Sequence, residues 1–402
     1  MAAENTKRRI DPKLLSHGGM DLTFLTLVLA LLTTGLIMMF SASYTYCYYN
    51  NNGDSLYYFK RQFFFAVVGL AAMFFASKFH YRAYRFMARP LMYASLVLLV
   101  VVLVVPPPAG YEGFHRWLYI PGVVTFQPSE IAKLAIVIFL AKDIGDHYGE
   151  INSDKKMTLG NRTLYARTFY LLRYIIILGL FSVLVLLENH VSGTILIFML
   201  GIMMLWLAGF DSKWFILAGI AVVALAILVI LKPSILPAHA QPRITAWLDK
   251  DYDPQGVRWQ TNNALYAIGS GGWFGVGLGN SKQKQLYVSE PMNDFIFSIV
   301  CEELGIIGAA IIILLFVLLV WRGFYIASRT EDKFASLLVL GLSFQIGLQA
   351  ALNIAVVTDV LPNTGISLPF FSYGGTSLMM LLGEMGLILG VSRYAKVKKN
   401  LF

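Results

Sequence analysis

The chain has 402 residues, of which 57% are hydrophobic and only 14% are charged. Soluble globular proteins contain roughly 45–50% apolar residues, so the mean hydropathy of +0.65 excludes an ordinary soluble domain and predicts a polytopic membrane protein. The net charge of +9 is expected where basic side chains meet anionic lipid headgroups, and it does not indicate nucleic-acid binding. The two cysteines, Cys47 and Cys301, form neither a disulfide framework nor a metal-ligand pattern.

Ten apolar runs are predicted to cross the membrane as helices, which takes about 17–25 residues each. The runs are 22–41, 62–79, 91–105, 128–141, 169–187, 192–210, 214–231, 295–321, 334–357 and 374–392. The third and fourth runs are short. The sequence therefore predicts an all-α fold with about ten transmembrane helices in one integral domain, 1–402, and one long polar loop at 232–294.

The distribution of Lys and Arg predicts the orientation, because cytoplasmic loops keep positive charge during insertion. Most of the 32 basic residues fall on the side of the N-terminus if both termini are cytoplasmic. This predicts cytoplasmic tails at 1–20 and 393–402 and an extracytoplasmic 232–294 loop. The first apolar run is too long for a signal peptide, so it is predicted to stay as the first span of a multi-pass protein.

The 232–294 loop contains a segment at 256–279 that is rich in glycine and aromatic residues. Glycine lets the backbone approach other groups closely, and aromatic side chains favour the membrane interface. A closely packed interfacial or re-entrant segment and a phosphate cradle both remain open. The GVGLG run at 275–279 lacks the preceding strand that a dinucleotide-binding motif requires.

Asp294 ends this polar loop at the point where the chain enters an apolar run. An acidic residue at the start of a helix can cap free amides and complement the helix dipole, and the position alone favours that role. A carboxylate at the membrane surface can also act as a general base. From the residues alone, both interpretations stay open.

Lys133 lies within an apolar run, and Glu130 is three residues earlier on the same helical face, so the two are predicted to pair. Such an intramembrane pair can line a substrate cavity or be purely structural. His190 shows no metal-ligand spacing and is predicted to have a surface or packing role.

Four separated blocks resemble the signatures of the shape, elongation, division and sporulation (SEDS) proteins, the family of RodA, FtsW and SpoVE. The blocks are FQPSEIAK at 126–133, AIGSGG at 267–272, NDFIF at 293–297 followed by EELG at 302–305, and GISLPFFSYGGTS at 365–377. The resemblance covers nearly the whole chain. It departs from the family pattern at 188–190, where many relatives have Pro-Asp, and at Asp359, where Gly or Asn is usual.

The resemblance implies a bacterial peptidoglycan glycosyltransferase. Such an enzyme polymerises lipid II into glycan strands at the outer face of the cytoplasmic membrane, together with a class B penicillin-binding protein transpeptidase. The essential Asp of the family falls on Asp294, which is predicted to act as general base. The polyprenyl pyrophosphate leaves as a stable anion, so the site needs positive charge rather than a second acid.

Arg116, Glu130, Lys133 and Arg243 are accordingly predicted to bind the substrate. A divalent cation, Mg²⁺ or Mn²⁺, is an alternative source of positive charge, and no other cofactor and no protein metal site is predicted. The predicted partners are lipid II, the growing glycan strand, the transpeptidase and membrane lipids.

Two other functions stay open at this level: a lipid II flippase, and a non-catalytic scaffold of the division or elongation machinery. Overall resemblance favours a division-type, FtsW-like member. Glu302, Glu303 and Glu384 are predicted to serve helix packing or partner contact rather than proton transfer.

Overall fold

The computed structural model describes residues 18–106, 115–120, 124–153, 155–159, 162–235 and 241–395. Within these ranges most of the chain is helical, and the longest segments without a helix are 249–258, 272–295 and 358–374. The ten long helices are α1 (Leu22–Asn50), α2 (Tyr57–Lys78), α3 (Arg82–Val104), α4 (Pro128–Ile151), α5 (Ala166–Leu187), α6 (Val191–Leu207), α7 (Ser212–Leu231), α10 (Ile296–Ser328), α11 (Lys333–Val357) and α12 (Gly375–Ser392).

Every predicted apolar run is a helix, so the predicted all-α membrane fold is confirmed. Among the described residues, eight of these helices are long and apolar enough to span a membrane. The other two are α6, which has only 17 residues, and α4, which carries charged side chains along its length. Several helices are longer than their apolar runs. For example, α1 continues past residue 41 to Asn50, because its backbone hydrogen bonds continue beyond the apolar stretch.

Two short antiparallel hairpins connect the helices within the described ranges. The strands β1 (Leu118–Ile120) and β2 (Val124–Phe126) pair directly before α4, and β3 (Lys156–Leu159) and β4 (Arg162–Tyr165) pair between α4 and α5. The first hairpin leads the chain from Arg116 to the N-terminus of α4. It therefore brings Arg116 to the same end of the bundle as Glu130.

The predicted 232–294 loop contains two helices of its own, α8 (Gln241–Leu248) and α9 (Trp259–Gly271). The helix α9 packs against α10 and α11. A Cβ added to Gly271 would lie 2.0 Å from the carbonyl oxygen of Cys301, and one added to Gly275 would lie 2.1 Å from that of Glu303. Close packing therefore explains these two glycines, whose neighbours are the backbone of α10 rather than a phosphate-sized space.

A buried polar cluster ties this loop to α1 and α10. The Nζ of Lys284 lies 2.7 Å from Oε1 of Glu303, and the hydroxyl of Ser41 donates to the same carboxylate at 2.8 Å. The neighbouring Glu302 accepts a hydrogen bond from the backbone N–H of Lys282 at 2.9 Å. These contacts agree with the predicted packing role of Glu302 and Glu303.

The two termini of the described chain lie at one end of the bundle. Asp21 pairs with Arg322 at 2.8 Å, and the backbone N–H of Gly18 donates to the carbonyl of Arg393 at 3.0 Å. The helix α10 is kinked at Gly305, whose φ of +68° is not helical, but α12 is unbroken. The hydroxyl of Ser372, just before α12, donates to the carbonyl of Asn293 at 2.9 Å, whereas Arg393 follows the end of that 18-residue helix, which rises about 1.5 Å per residue. Asp294 and the termini therefore lie at opposite ends of the bundle, and most of both predicted tails lies outside the described residues.

Candidate active site

All five predicted site residues line one cavity of about 370 Å³. The cavity lies at the end of the bundle where α10 begins, and its walls come from α4, α6, α8, α11, α12 and the segment before α12. The predicted members of the lining are Arg116, Glu130, Lys133, Arg243 and Asp294. The tertiary fold thus gathers residues that four separate segments supply.

Asp294 lies just before α10, but its side chain does not cap that helix. The N-cap position is Phe295, and no side chain caps the helix there. A Cβ added to Gly365, whose φ of +70° lies in the left-handed region, would lie 3.2 Å from Oδ2 of Asp294. The capping interpretation is therefore wrong in this structure, and the carboxylate faces the cavity instead.

Burial is the main cause that raises the pKa of Asp294 to about 6, and the nearby carboxylate of Glu290 acts in the same direction. The guanidinium groups of Arg116 and Arg243 oppose this shift and lower the pKa. A carboxylate with a raised pKa is a stronger base than an ordinary aspartate and is still mostly ionised near neutral pH. These neighbours therefore give Asp294 the properties of a general base.

The backbone around Asp294 is held by groups that the sequence did not single out. The side-chain amide of Asn353 donates to the carbonyl of Asp294 at 2.7 Å and to that of Ile366 at 2.6 Å. The hydroxyl of Ser372 donates to the carbonyl of Asn293 at 2.9 Å. An amide in the apolar run of α11 was the available signal for Asn353, which holds the backbone of Asp294 and does not line the cavity.

The predicted Glu130–Lys133 pair is confirmed, with Nζ of Lys133 2.8 Å from Oε1 of Glu130. The Lys133 ammonium also donates to the side-chain oxygen of Gln349 at 3.1 Å. Both partners line the cavity. Glu384, predicted to serve packing, lines the same cavity and accepts from Gln345 at 3.1 Å.

Arg116 is anchored through the departure from the family pattern at 188–190. Its guanidinium donates to the carbonyl of Asn189, and burial lowers its pKa to about 10, with the charge of Arg243 acting in the same direction. Beside it, burial raises the pKa of Glu188 to about 8. The bond to Asn189 fixes the Arg116 guanidinium at the wall of the cavity.

His190, predicted to have a surface or packing role, lines the cavity rather than the outer surface, so the surface alternative is wrong, and its ring packs against Gly193. Its Nδ1 lies 3.2 Å from the amide nitrogen of Gln127 and 3.3 Å from the hydroxyl of Ser129. Burial and the charges of Arg116 and Lys133 lower its pKa to about 3. His190 is therefore a neutral polar group on the wall at neutral pH.

Among the described residues, no group of three or more His, Cys, Asp or Glu side chains could hold a metal ion. Mg²⁺ is often bound by one or two carboxylates together with substrate phosphates. The alternative of a divalent cation therefore stays a prediction that this structure does not test.

The chain resembles characterised families over almost its full length. Residues 21–397 match the model of the family that groups FtsW, RodA and SpoVE, described as cell cycle proteins. Stage V sporulation protein E of Bacillus subtilis strain 168 is 38% identical over 379 residues, covering 94% of this chain and 98% of that protein. The probable peptidoglycan glycosyltransferase FtsW of Trichlorobacter lovleyi is 36% identical over 377 residues, covering 94% of each chain.

Solved structures share the fold. A chain of a peptidoglycan synthase complex that coordinates polymerization and crosslinking superposes with a TM-score of 0.74 at 26% identity, covering 93% of this chain and 98% of that one. The rod shape determining protein RodA of Thermus thermophilus superposes with a TM-score of 0.66 at 24% identity, covering 94% and 98%. Sporulation and division proteins both match, so the favoured division type stays a prediction. The chain belongs to the SEDS family of FtsW, RodA and SpoVE proteins.

Proposed function

We propose that this chain is a peptidoglycan glycosyltransferase that polymerises lipid II, with Asp294 as the general base. The single observation that carries the assignment is the placing of Asp294 with Arg116, Lys133 and Arg243 around one cavity. The names of relatives such as the probable glycosyltransferase FtsW support the reaction class.

The proposed reaction needs one base and a positively charged site for the leaving group. The acceptor hydroxyl attacks the anomeric carbon of the donor sugar, and its proton passes to Asp294. The bond between that carbon and the pyrophosphate oxygen breaks, and its electron pair leaves with the polyprenyl pyrophosphate. This anion is stable without protonation, so the second carboxylic acid that glycosidases use for an alcohol leaving group is not required.

The basic side chains of the cavity would bind the pyrophosphate. Arginine can donate two parallel hydrogen bonds to phosphate oxygens, whereas lysine acts as a point charge. Arg116 and Arg243 lie near enough to Asp294 to lower its pKa. Lys133 is already paired with Glu130, so its role would be to stabilise the negative charge that develops as the donor bond breaks.

The membrane orientation follows from combining the charge distribution with the fold. Both termini are proposed to be cytoplasmic, and the end of the bundle that holds Asp294 would then face the outside, where lipid II is polymerised. A class B penicillin-binding protein transpeptidase is the proposed partner. Support for it comes from the structural likeness to a chain of a peptidoglycan synthase complex.

The test compares Asp294→Asn with the unmodified protein, each purified with its transpeptidase and supplied with fluorescent lipid II. General bases typically contribute about 10²–10⁴-fold, so polymer formation should fall by about 10²-fold or more. Asp251→Asn is a matched control, because Asp251 is an exposed carboxylate of the same outer segment and does not line the cavity.

Undiminished polymer from Asp294→Asn would refute the role of the base. A protein that moves lipid II across vesicles without making polymer would favour the flippase alternative. Normal growth of cells that carry only Asp294→Asn would favour the scaffold.

A further inference from the structure

A second cavity of about 300 Å³ adjoins the first one, and its lining residues belong to the 232–294 loop and to the segment after α11. Ligand pockets in proteins begin at about this volume, roughly 300–1,000 Å³. Arg243, Gln260 and Asn363 line both cavities. The two spaces therefore meet at a shared wall, and the first of them holds Asp294.

The wall of the second cavity is built around Asp359. The Arg258 guanidinium donates to Oδ2 of Asp359 at 2.6 Å and to the carbonyl of Ala246 at 2.6 Å. The Lys250 ammonium reaches the same carboxylate at 2.6 Å, and the indole N–H of Trp247 donates to the Asp359 carbonyl at 3.2 Å. These bonds fasten α8 and the segment after it to the outer end of α11.

The backbone of Asp359 explains how it can stand where Gly or Asn is usual. Its φ is +59°, in the left-handed region that glycine adopts freely and that Asn and Asp tolerate better than other residues. This chain therefore keeps the local backbone conformation and gains a carboxylate. That carboxylate holds Arg258, whose side chain is only 5% exposed.

The two cavities differ in the charge that they offer to a ligand. In the second cavity the carboxylate of Asp359 pairs with Arg258, and Arg243 is the one other charged side chain among the described lining residues. Gln260, Thr261 and Asn363 supply amide and hydroxyl groups, and Trp247 supplies an aromatic surface. Polar groups of this kind with an aromatic wall suit a neutral, hydroxylated ligand such as a sugar, whereas the first cavity is lined by three basic and four acidic side chains.

We propose that the second cavity binds the sugar rings of the acceptor, while the first cavity holds the pyrophosphate end of the donor. Arg243 on the shared wall marks the junction at which the acceptor hydroxyl reaches Asp294. This proposal rests on the proposed function, because a polymerase must bring two saccharides to one base, and the two cavities meet beside that base.

The experiment separates the acceptor from the donor. The donor is a lipid II analogue whose accepting hydroxyl is blocked, and the acceptor is a labelled disaccharide that lacks pyrophosphate and can only accept. Val257→Trp blocks the second cavity from an exposed position, since Val257 is 38% exposed and lines only that cavity. We expect the KM for the acceptor to rise by about tenfold while the KM for the donor stays unchanged.

Two further variants separate occupancy from folding. Thr261→Val removes one hydroxyl from the cavity without changing the size of the side chain and should raise the acceptor KM by a smaller factor. Val360→Trp is the control, because Val360 is 64% exposed and lines neither cavity; both KM values should stay unchanged. The melting temperature of each variant is compared with that of the unmodified protein.

The outcomes distinguish the two proposals. If the unmodified protein makes no polymer from lipid II, the proposed function fails. If it makes polymer but Val257→Trp and Thr261→Val both leave the acceptor KM unchanged, or raise the donor KM instead, the acceptor site is overturned and the proposed function stands.

Discussion

Lys133 and Lys284 each form a buried ion pair with a glutamate, yet the two pairs have opposite surroundings. The distances are 2.8 Å to Glu130 and 2.7 Å to Glu303. The Glu130 side chain is 18% exposed and lines the cavity, whereas the Glu303 side chain is 0% exposed and is closed in by Ser41. We call the first the open pair and the second the closed pair.

Pairing and burial do not by themselves identify a functional ion pair. In the closed pair the Lys284 ammonium also donates to the carbonyl of Gly279 at 2.7 Å, so protein groups use the donors of the ammonium and no ligand can approach. In the open pair, the part of Glu130 and Lys133 that protein groups leave uncovered faces the cavity, where a ligand can approach. Loss of the closed pair should therefore reduce stability, and loss of the open pair should reduce activity.

The largest effect is expected from breaking the closed pair with Lys284→Met. Removing one partner of a buried ion pair costs about 3–5 kcal/mol, because the other charge stays buried and unpaired. We expect a clearly lower melting temperature in thermal unfolding of the detergent-solubilised protein. The double variant Lys284→Met with Glu303→Gln should recover part of the loss, and an unchanged melting temperature in the single variant would contradict the assignment.

The open pair should respond in the other way to Lys133→Met. Removing a preorganised positive group from a reaction site typically costs about 10²-fold in kcat, and we expect a loss of that order in polymer formation. The melting temperature should fall less than in Lys284→Met, since Glu130 can still contact water in the cavity. A variant that unfolds easily but keeps full specific activity would place Lys133 in the structural class instead.

The pH profile of polymerisation tests the role of Asp294 in the first cavity. Asp294 acts as a base only when it is deprotonated, so activity should rise with pH through its pKa of about 6. Arg243 lowers that pKa and Glu290 raises it. Arg243→Gln should therefore move the acidic limb to higher pH, and Glu290→Gln should move it to lower pH. If both variants moved the acidic limb in the same direction, the limb would not reflect the pKa of Asp294.

The smallest effect is expected at the wall of the second cavity. Asp359→Asn keeps a residue that tolerates the left-handed backbone and can still accept from Arg258, but it removes the negative charge. We expect a loss of about 1–3 kcal/mol in unfolding free energy, because the buried Arg258 keeps a neutral acceptor but loses its compensating charge. Asp359→Ala should cost more, because alanine adds backbone strain and accepts no bond; equal melting temperatures for the two variants would contradict this.

Local signals in the chain were enough for the membrane class, the ten helices and the Glu130–Lys133 pair. Apolar runs report lipid exposure directly, and a spacing of three residues places two side chains on one helical face whatever the rest of the fold does. Asp294, Arg116 and Arg243 could be chosen from residue type, position and family resemblance. Their assembly around one cavity is a property of the folded chain.

The tertiary structure decided everything that depends on contacts between distant segments. From the sequence, Lys284 is one of several basic residues of the 232–294 loop. Only packing against α1 and α10 buries it beside Glu303. Asn353 and His190 gain their places in the same way. No periodicity or spacing encodes which polar side chains of separate segments will meet, because the free energy of burying a polar group depends on partners that the fold alone supplies.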